Sequence, residues 1–345
     1  MSKPRVLFLN RSYWPDTEAT GQLLTDLSQD LSQDFQVSVL VGLPNHVTGE
    51  VATTKAGRDE HAGVEILRVR HTRFPKHNFV GRILNLVTFS LMALLRGLWL
   101  PNRPDIVITE TDPFFLPLVG RLLKWRYGCR FVAYLQDIYP EVAIAVGKVQ
   151  EGFITRMLRW LLVGAYRRAD RVIVLSQDMR TLCERNGVPT EKIVVLPNWV
   201  DTTSIKPRTE ENAFRHQHGT DRFLVMYSGN LGVGHVLTPI IDAAEQLRDF
   251  PDVHFLMIGE GQQKARLEQL AREKNLENII FLPYQPRETL SDSLSAADLH
   301  LVSIRPEVVE CLMPSKLYGV LAAGVPMIVL APCDCELAQI VEQHQ

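Results

Sequence analysis

Short apolar runs alternate with segments of helical spacing along almost the whole chain. Val6–Asn10, Val37–Gly42, Val64–Arg70, Ile106–Thr109, Phe131–Leu135, Arg171–Ser176 and Ile193–Leu196 are each four to seven residues, bounded by polar or turn residues. Such runs fit strands buried on both faces of a parallel sheet. A loop is predicted over Arg11–Gly21 and helices after it through Leu31, over Phe153–Ala169 and over Gln177–Asn186. The pattern breaks in the polar stretch 202–222. It then resumes with strands Phe223–Ser228, His254–Ile258, Ile279–Leu282, Asp298–Ser303 and Val325–Leu330, and a helix over Val236–Asp249. Alternation without internal repeat or low-complexity tract predicts two α/β domains with parallel sheets. The domains run from 1 to 197 and from 223 to 345, with 198–222 as linker. Pro44–Gly63 is polar and reads as a mobile loop.

One segment departs from this pattern. Ile83–Leu100 is apolar except for Asn85, Thr88, Ser90 and Arg96. A membrane span needs about 20 largely uncharged residues, and Arg96 argues against spanning. A buried helix and an interfacial membrane helix both remain open.

Composition adds an asymmetry. Residues 1–170 hold 21 Lys and Arg against 16 Asp and Glu, whereas the remainder holds 16 against 23. Within residues 80–168 there are 12 basic and 6 acidic residues. Only the first half is therefore expected to meet something anionic, such as a membrane surface; no nucleic-acid partner is expected. The five cysteines are scattered, and Cys333-Asp-Cys335 lacks the further ligands of a zinc site. They read as reduced thiols of a cytoplasmic protein. The chain enters its first strand at once, so no signal peptide is expected.

The densest chemistry lies in Arg305–Val329. Two carboxylates, Glu307 and Glu310, precede a helix that starts at Pro314-Ser315 and ends at Gly324. Ser315 has the chemistry to cap that helix. Unpaired backbone donors and Lys316 suit a phosphate, and upstream carboxylates suit sugar hydroxyls. Gly229-Asn-Leu-Gly-Val-Gly-His235 follows a strand and precedes a helix, an arrangement that cradles phosphate on N–H groups. Asp137 and Glu141 follow the strand Phe131–Leu135, at the sheet edge where such folds bind ligands. Glu110-Thr-Asp112 reads as a loop carboxylate pair rather than a metal site.

Pro-Ser-Lys-x-Tyr-x-x-x-Ala-Ala-Gly-x-Pro over 314–326 resembles the donor-site helix of retaining, two-domain (GT-B) glycosyltransferases of family 4. The resemblance is closest to the branch that builds bacterial exopolysaccharides of the colanic-acid type, and it covers nearly the whole chain. It implies two Rossmann-like domains facing across a cleft. The implied activity is a retaining sugar transfer from a nucleotide diphosphate to a lipid-linked or oligosaccharide acceptor, without metal or other cofactor, at the inner face of the plasma membrane. Gly21 would let backbone approach donor or acceptor. Gly229, Asn230, Gly232, Gly234 and His235 would meet the diphosphate, with Ser315, Lys316 and Leu317. Leu282 to Tyr284 would hold the base, Glu307 or Glu310 the sugar hydroxyls, and Asp137, Glu141 and Glu310 would serve catalysis.

Departures from the family pattern are concrete. Gln136 replaces a histidine, Trp199 a glycine, Asn230 an arginine and His235 a lysine. Cys311 and Gly319 stand where two glutamates are frequent. These departures keep a non-catalytic donor- or membrane-binding relative open, alongside a sugar-nucleotide epimerase on the same fold. Relatives usually continue with another strand and helices, so the second domain is expected to be incomplete.

Overall fold

The computed structural model of the chain describes residues 3–16, 19–44, 55–74, 79–208, 212–219 and 222–343. Contacts divide the chain into two units. One comprises Met1–Pro197 with the short segment Glu310–Leu312, the other Asn198–Val309 with Met313–Gln345.

The first unit begins with β1 (Arg5–Leu9), α1 (Ala19–Ser32), β2 (Gln36–Val41), β3 (Gly57–His61), β4 (Val64–Arg68) and α2 (Phe79–Leu98). It continues through β5 (Ile106–Thr109), α3 (Leu116–Tyr127), β6 (Arg130–Leu135), α4 (Glu141–Ala145), α5 (Phe153–Tyr166), β7 (Arg171–Val174), α6 (Gln177–Arg185) and β8 (Ile193–Val195). The strands form one sheet in the order β3-β4-β2-β1-β5-β6-β7-β8, parallel throughout except for β3. The two-residue period of a strand sorts the core onto two faces. Val6 and Phe8 of β1 join Leu24 of α1 on one side. Leu7 and Leu9 join Phe89 of α2 and Leu116, Val119 and Leu123 of α3 on the other.

Residues 57–63, expected as loop, instead form a hairpin with β4. Ala62 and Gly63 take φ values of 49° and 78°, the left-handed pair that a tight two-residue hairpin turn requires.

The second unit runs α7 (Ala213–His218), β9 (Phe223–Ser228), α8 (Thr238–Gln246), β10 (Val253–Ile258), α9 (Lys264–Glu273) and β11 (Ile279–Leu282). It ends with α10 (Leu290–Ser295), β12 (Leu299–Ser303), α11 (Lys316–Ala322), β13 (Met327–Leu330) and α12 (Glu336–Gln343). The all-parallel order is β11-β10-β9-β12-β13. Val225, Tyr227, Phe255 and Met257 face α8 and α9, while Leu224, Met226, Leu256 and Ile258 face the other side.

The expected linker contains α7, which belongs to this core. Phe214 is buried, and Asn212 donates through Nδ2 to Asp292 O at 2.9 Å. Arg215 reaches Asp298 Oδ2 at 2.7 Å, and the same carboxylate accepts the Leu224 N–H at 2.8 Å. Burial alone would raise the Asp298 pKa; the Leu224 N–H and Arg215 hold it below the ordinary value. A depressed folded-state pKa contributes stability above the unfolded value, lost as pH falls through the carboxylate range. Asp298→Ala should therefore lower the thermal midpoint at neutral pH, by about 1.5–3 kcal/mol of stability. The deficit relative to the parent should shrink in acid. An unchanged midpoint at pH 7 would show that α7 is held by Phe214 and Asn212 alone.

Candidate functional site

In both sheets the strand order reverses about the first strand, between β1 and β5 and between β9 and β12. Ligands of open α/β sheets bind outside the carboxyl ends of the strands at such switch points. Each unit places polar chemistry there.

In the second unit, β9 runs into Gly229 and β12 ends at Ser303. The backbone of 229–235 is fixed by neighbours. Gly229 N–H donates to Ile258 O at 2.9 Å and Leu231 N–H to Glu260 O at 2.9 Å. Gln263 Nε2 donates to the Gly232 and His235 carbonyls at 2.6 and 3.1 Å. The N–H groups of Asn230, Gly232, Val233 and Gly234 donate to no acceptor among the described residues. A fixed loop with unused donors is a preorganised anion cradle. Two glycines make it possible. A Cβ on Gly259 would lie 2.0 Å from Gly229 O, and one on Gly261 would lie 2.3 Å from Leu231 C.

Lys316, first residue of α11, extends over this loop. Its Nζ donates to Tyr227 Oη and sits 3.6 Å from that ring's centre. Tyr227 Oη passes a hydrogen bond on to Asn230 O at 2.9 Å. A Cβ on Gly229 would meet Lys316 Cε at 3.0 Å, so the lysine arm fills the space left by that glycine. Burial holds the ammonium well below the ordinary lysine pKa.

His235 stands beside it, its Nδ1 2.6 Å from Ser303 O. A carbonyl only accepts, so Nδ1 carries the proton and Nε2 presents a lone pair. Burial, then the charge of Lys316, push its pKa down to about 3. His235 is thus a neutral acceptor at neutral pH, not a replacement cation.

Other residues proposed from sequence lie nearby or in other roles. Ser315 is itself helical and makes no side-chain cap. Leu317 is fully buried and its N–H donates to Pro314 O at 3.3 Å, which makes it a core anchor of α11. Glu307 is exposed and pairs with Arg305 Nε at 3.2 Å. Tyr284 is exposed; a Cβ on Gly259 would lie 3.3 Å from its ring. Gly319, where the family resemblance led to the expectation of a carboxylate, points its Cβ direction at Leu294 Cδ1, 3.2 Å away.

The first unit gathers carboxylates instead. At the end of β5, Glu110 is buried and its Oε2 has no hydrogen-bond partner. Burial, then the charge of Asp112, push its carboxyl well above the usual range. Asp112 accepts from Arg11 at 2.9 Å and from Ser12 Oγ at 3.2 Å. Asp137, just past β6, is oriented by its N–H donating to Thr111 Oγ1 at 3.1 Å. Burial, then Asp112, raise its pKa to about 6.

Glu141 sits elsewhere. It accepts from Arg159 Nε at 2.6 Å and Asn186 Nδ2 at 3.0 Å, and Arg159 also grips Glu151. That is a structural tie among α4, α5 and α6. Glu310 is likewise engaged, its two oxygens held by Arg185 at 3.1 and 2.5 Å. Gly21 lies inside α1 rather than in the preceding loop. Its Cβ position is 3.2 Å from Ser12 and Tyr13 backbone, so its smallness serves the chain's own packing.

Sequence reasoning missed Tyr227, Glu110 and Gln263. Tyr227 carried the one usable signal, an aromatic hydroxyl two residues before the glycine loop. Among the described residues no group of three His, Cys, Asp or Glu stands together as a metal-ligand set.

Comparison with known proteins agrees with this geometry. Residues 25–199 match the family model "Glycosyl transferase 4-like domain", and 208–344 match "Glycosyl transferases group 1". WcaI of Escherichia coli K12, whose name assigns it to colanic acid biosynthesis as a glycosyl transferase, is 26% identical over 98% of this chain and 86% of its own. WbjE of Pseudomonas aeruginosa, named as a glycosyltransferase, is 24% identical over 79% of this chain and 69% of its own. Among solved structures, Anabaena HepE in complex with UDP and glucose superposes with TM-score 0.68 at 18% identity, covering 99% of this chain and 89% of its own. WaaG, a glycosyltransferase involved in lipopolysaccharide biosynthesis, gives 0.68 at 15% identity, covering 98% and 84%. The fold is the GT-B fold of those structures.

Asp137 gives a pH test. Its raised folded-state pKa means that the folded chain binds the proton more tightly than the unfolded one. Stability is therefore lost as pH rises from about 4 through about 6. Asp137→Asn should raise the thermal midpoint at pH 7.5 and give little gain at pH 4. A midpoint unchanged or lowered at pH 7.5 would mean that the carboxylate is stabilised by its surroundings.

Proposed function

Because the chain belongs to the glycosyltransferases of the 4-like family, we propose that it is a retaining enzyme using a nucleoside diphosphate sugar. The acceptor is a lipid-linked glycan at the inner membrane face, in bacterial exopolysaccharide or O-antigen synthesis. The observation that carries this reading is Lys316 laid over a glycine loop in which the N–H groups of Asn230, Gly232, Val233 and Gly234 have no acceptor among the described residues. HepE's complexes with UDP and with UDP-glucose and the colanic-acid assignment of WcaI support it.

The chemistry follows from the charges. Breaking the bond from the sugar C1 to the diphosphate builds negative charge on the leaving oxygen. Lys316 and the loop donors are already positioned to meet that charge, so they stabilise it without rearrangement. The acceptor hydroxyl forms its bond to C1 on the same face, and its proton passes to the leaving phosphate oxygen. Asp137 is the acceptor-side carboxylate, on backbone whose N–H is held by Thr111 Oγ1. Positive charge comes from the protein, so EDTA should leave nucleotide binding unchanged.

The departures at Asn230, His235 and Gly319 favour one second reading, a relative that binds donor without turnover. Release of free sugar from donor, with or without acceptor, separates the two.

A thermal-shift screen against UDP-, GDP- and dTDP-sugars should raise the midpoint with one base, since a ligand of the folded state stabilises it. Binding should also take up a proton, because the diphosphate restores the charge that burial disfavours on Lys316. Calorimetric enthalpies should then depend on the ionisation heat of the buffer. Lys316→Met should remove that dependence and weaken binding by about 1.5–3 kcal/mol. Equal affinity in the variant would remove Lys316 from the donor site.

A further inference from the structure

Three helices of the first unit lie side by side with α3 in the middle. A Cβ on Gly97 of α2 would touch Leu123 of α3 at 3.1 Å, and Tyr127 Oη donates to Gly97 O at 2.9 Å. On the other flank, a Cβ on Gly164 of α5 would lie 3.6 Å from Arg121 of α3. The inner faces are explained by the sheet beneath them: Phe89, Ala93, Leu116, Val119 and Leu123 are core. The outer faces are not.

On α2, Ile83, Val87, Leu91 and Leu95 recur every fourth residue and are each 44–52% exposed. On α3, Leu122 and Trp125 lie one turn apart, and Trp125 is 83% exposed. On α5, Ile154, Met157 and Trp160 form a third row, with Trp160 73% exposed. Each row has helical spacing, so each helix is apolar on both sides. Three such rows on neighbouring helices exceed the scattered apolar residues of an ordinary surface.

Charge identifies the occupant. The segments of α2, α3 and α5 contain seven Arg and Lys and no Asp or Glu. Arg159 and Lys124 are engaged with Glu141 and Asp170, whereas Arg121, Arg126 and Arg156 are exposed. Apolar rows flanked by basic residues, with tryptophans among them, match the interface of a bilayer carrying anionic lipid. No helix among the described residues is long and apolar enough to cross a membrane. We propose that the outer face of α2, α3 and α5 is a single docking surface for an anionic phospholipid bilayer, lying in the headgroup region without spanning it. It extends the membrane-side placement of the acceptor from α2 alone to three helices. It does not depend on which nucleotide the second unit binds.

Flotation of the full chain with phosphatidylcholine vesicles, with and without phosphatidylglycerol, tests the surface. Binding is expected with phosphatidylglycerol and should weaken with salt. The double variant Trp125→Glu/Trp160→Glu should lose about tenfold or more in partitioning, with its thermal midpoint unchanged because both side chains are exposed. Arg121→Gln/Arg126→Gln should flatten the salt dependence. A chain that stays in solution at low salt overturns the proposal, as does a Trp double variant that floats like the parent. Self-association abolished by the Trp variant, without vesicle binding by either protein, would make the face an interface between copies. Nucleotide binding measured on the same samples separates this outcome from failure of the transferase reading.

Discussion

Position 229 carries no side chain, and the arm of Lys316 occupies the place where one would be. Much of the second unit's chemistry depends on that vacancy. The lysine amine reaches Tyr227 only by passing over the glycine, and Tyr227 in turn fixes the Asn230 carbonyl. A second glycine, at 259, lets the next strand end come close enough to support the loop from below. Burial disfavours the charged form of that amine, and an anion beside it would favour it. The arrangement costs stability without a ligand and recovers it with an anion.

The first unit uses the same topology with the opposite sign. Its switch point collects Glu110, Asp112 and Asp137, and among the described residues Arg11 pairs with Asp112. Two sheets built by one rule thus differ in what their crossovers attract. One presents an amine and N–H donors, the other carboxyl groups, with burial raising the proton affinity of Glu110 and Asp137. A phosphate suits the first and a hydroxyl the second.

The strands of both sheets were legible because their residues are buried on both faces and read as continuous apolar runs. β3 was not, because Gly-Arg-Asp-Glu-His is a polar edge strand and its turn is Ala62-Gly63 rather than an Asn-Gly pair. α7 was hidden in a polar stretch, where Phe214 is the buried residue of that helix. In the site, Lys316 stood out through its motif and the loop through its glycines. Tyr227 was passed over because an aromatic residue in a buried strand reads as core, which its ring also is. Glu141 and Glu310 were named from position along the chain, but carboxylates at loop ends are equally suited to gripping arginines, and here both do. Ser315 failed as a cap because the helix conformation already includes it. Such outcomes are set by partners distant in sequence, which local pattern does not carry.

Gly319 bears on how far this chain can be moved toward its relatives. Its Cβ direction meets Leu294, a buried side chain of α10. A carboxylate introduced there would enter ground that the hydrophobic interior has already claimed, and Leu294 would have to yield first. Placing a carboxylate at 319 is therefore a change of two helices rather than of one residue, α11 for the charge and α10 for the room it needs.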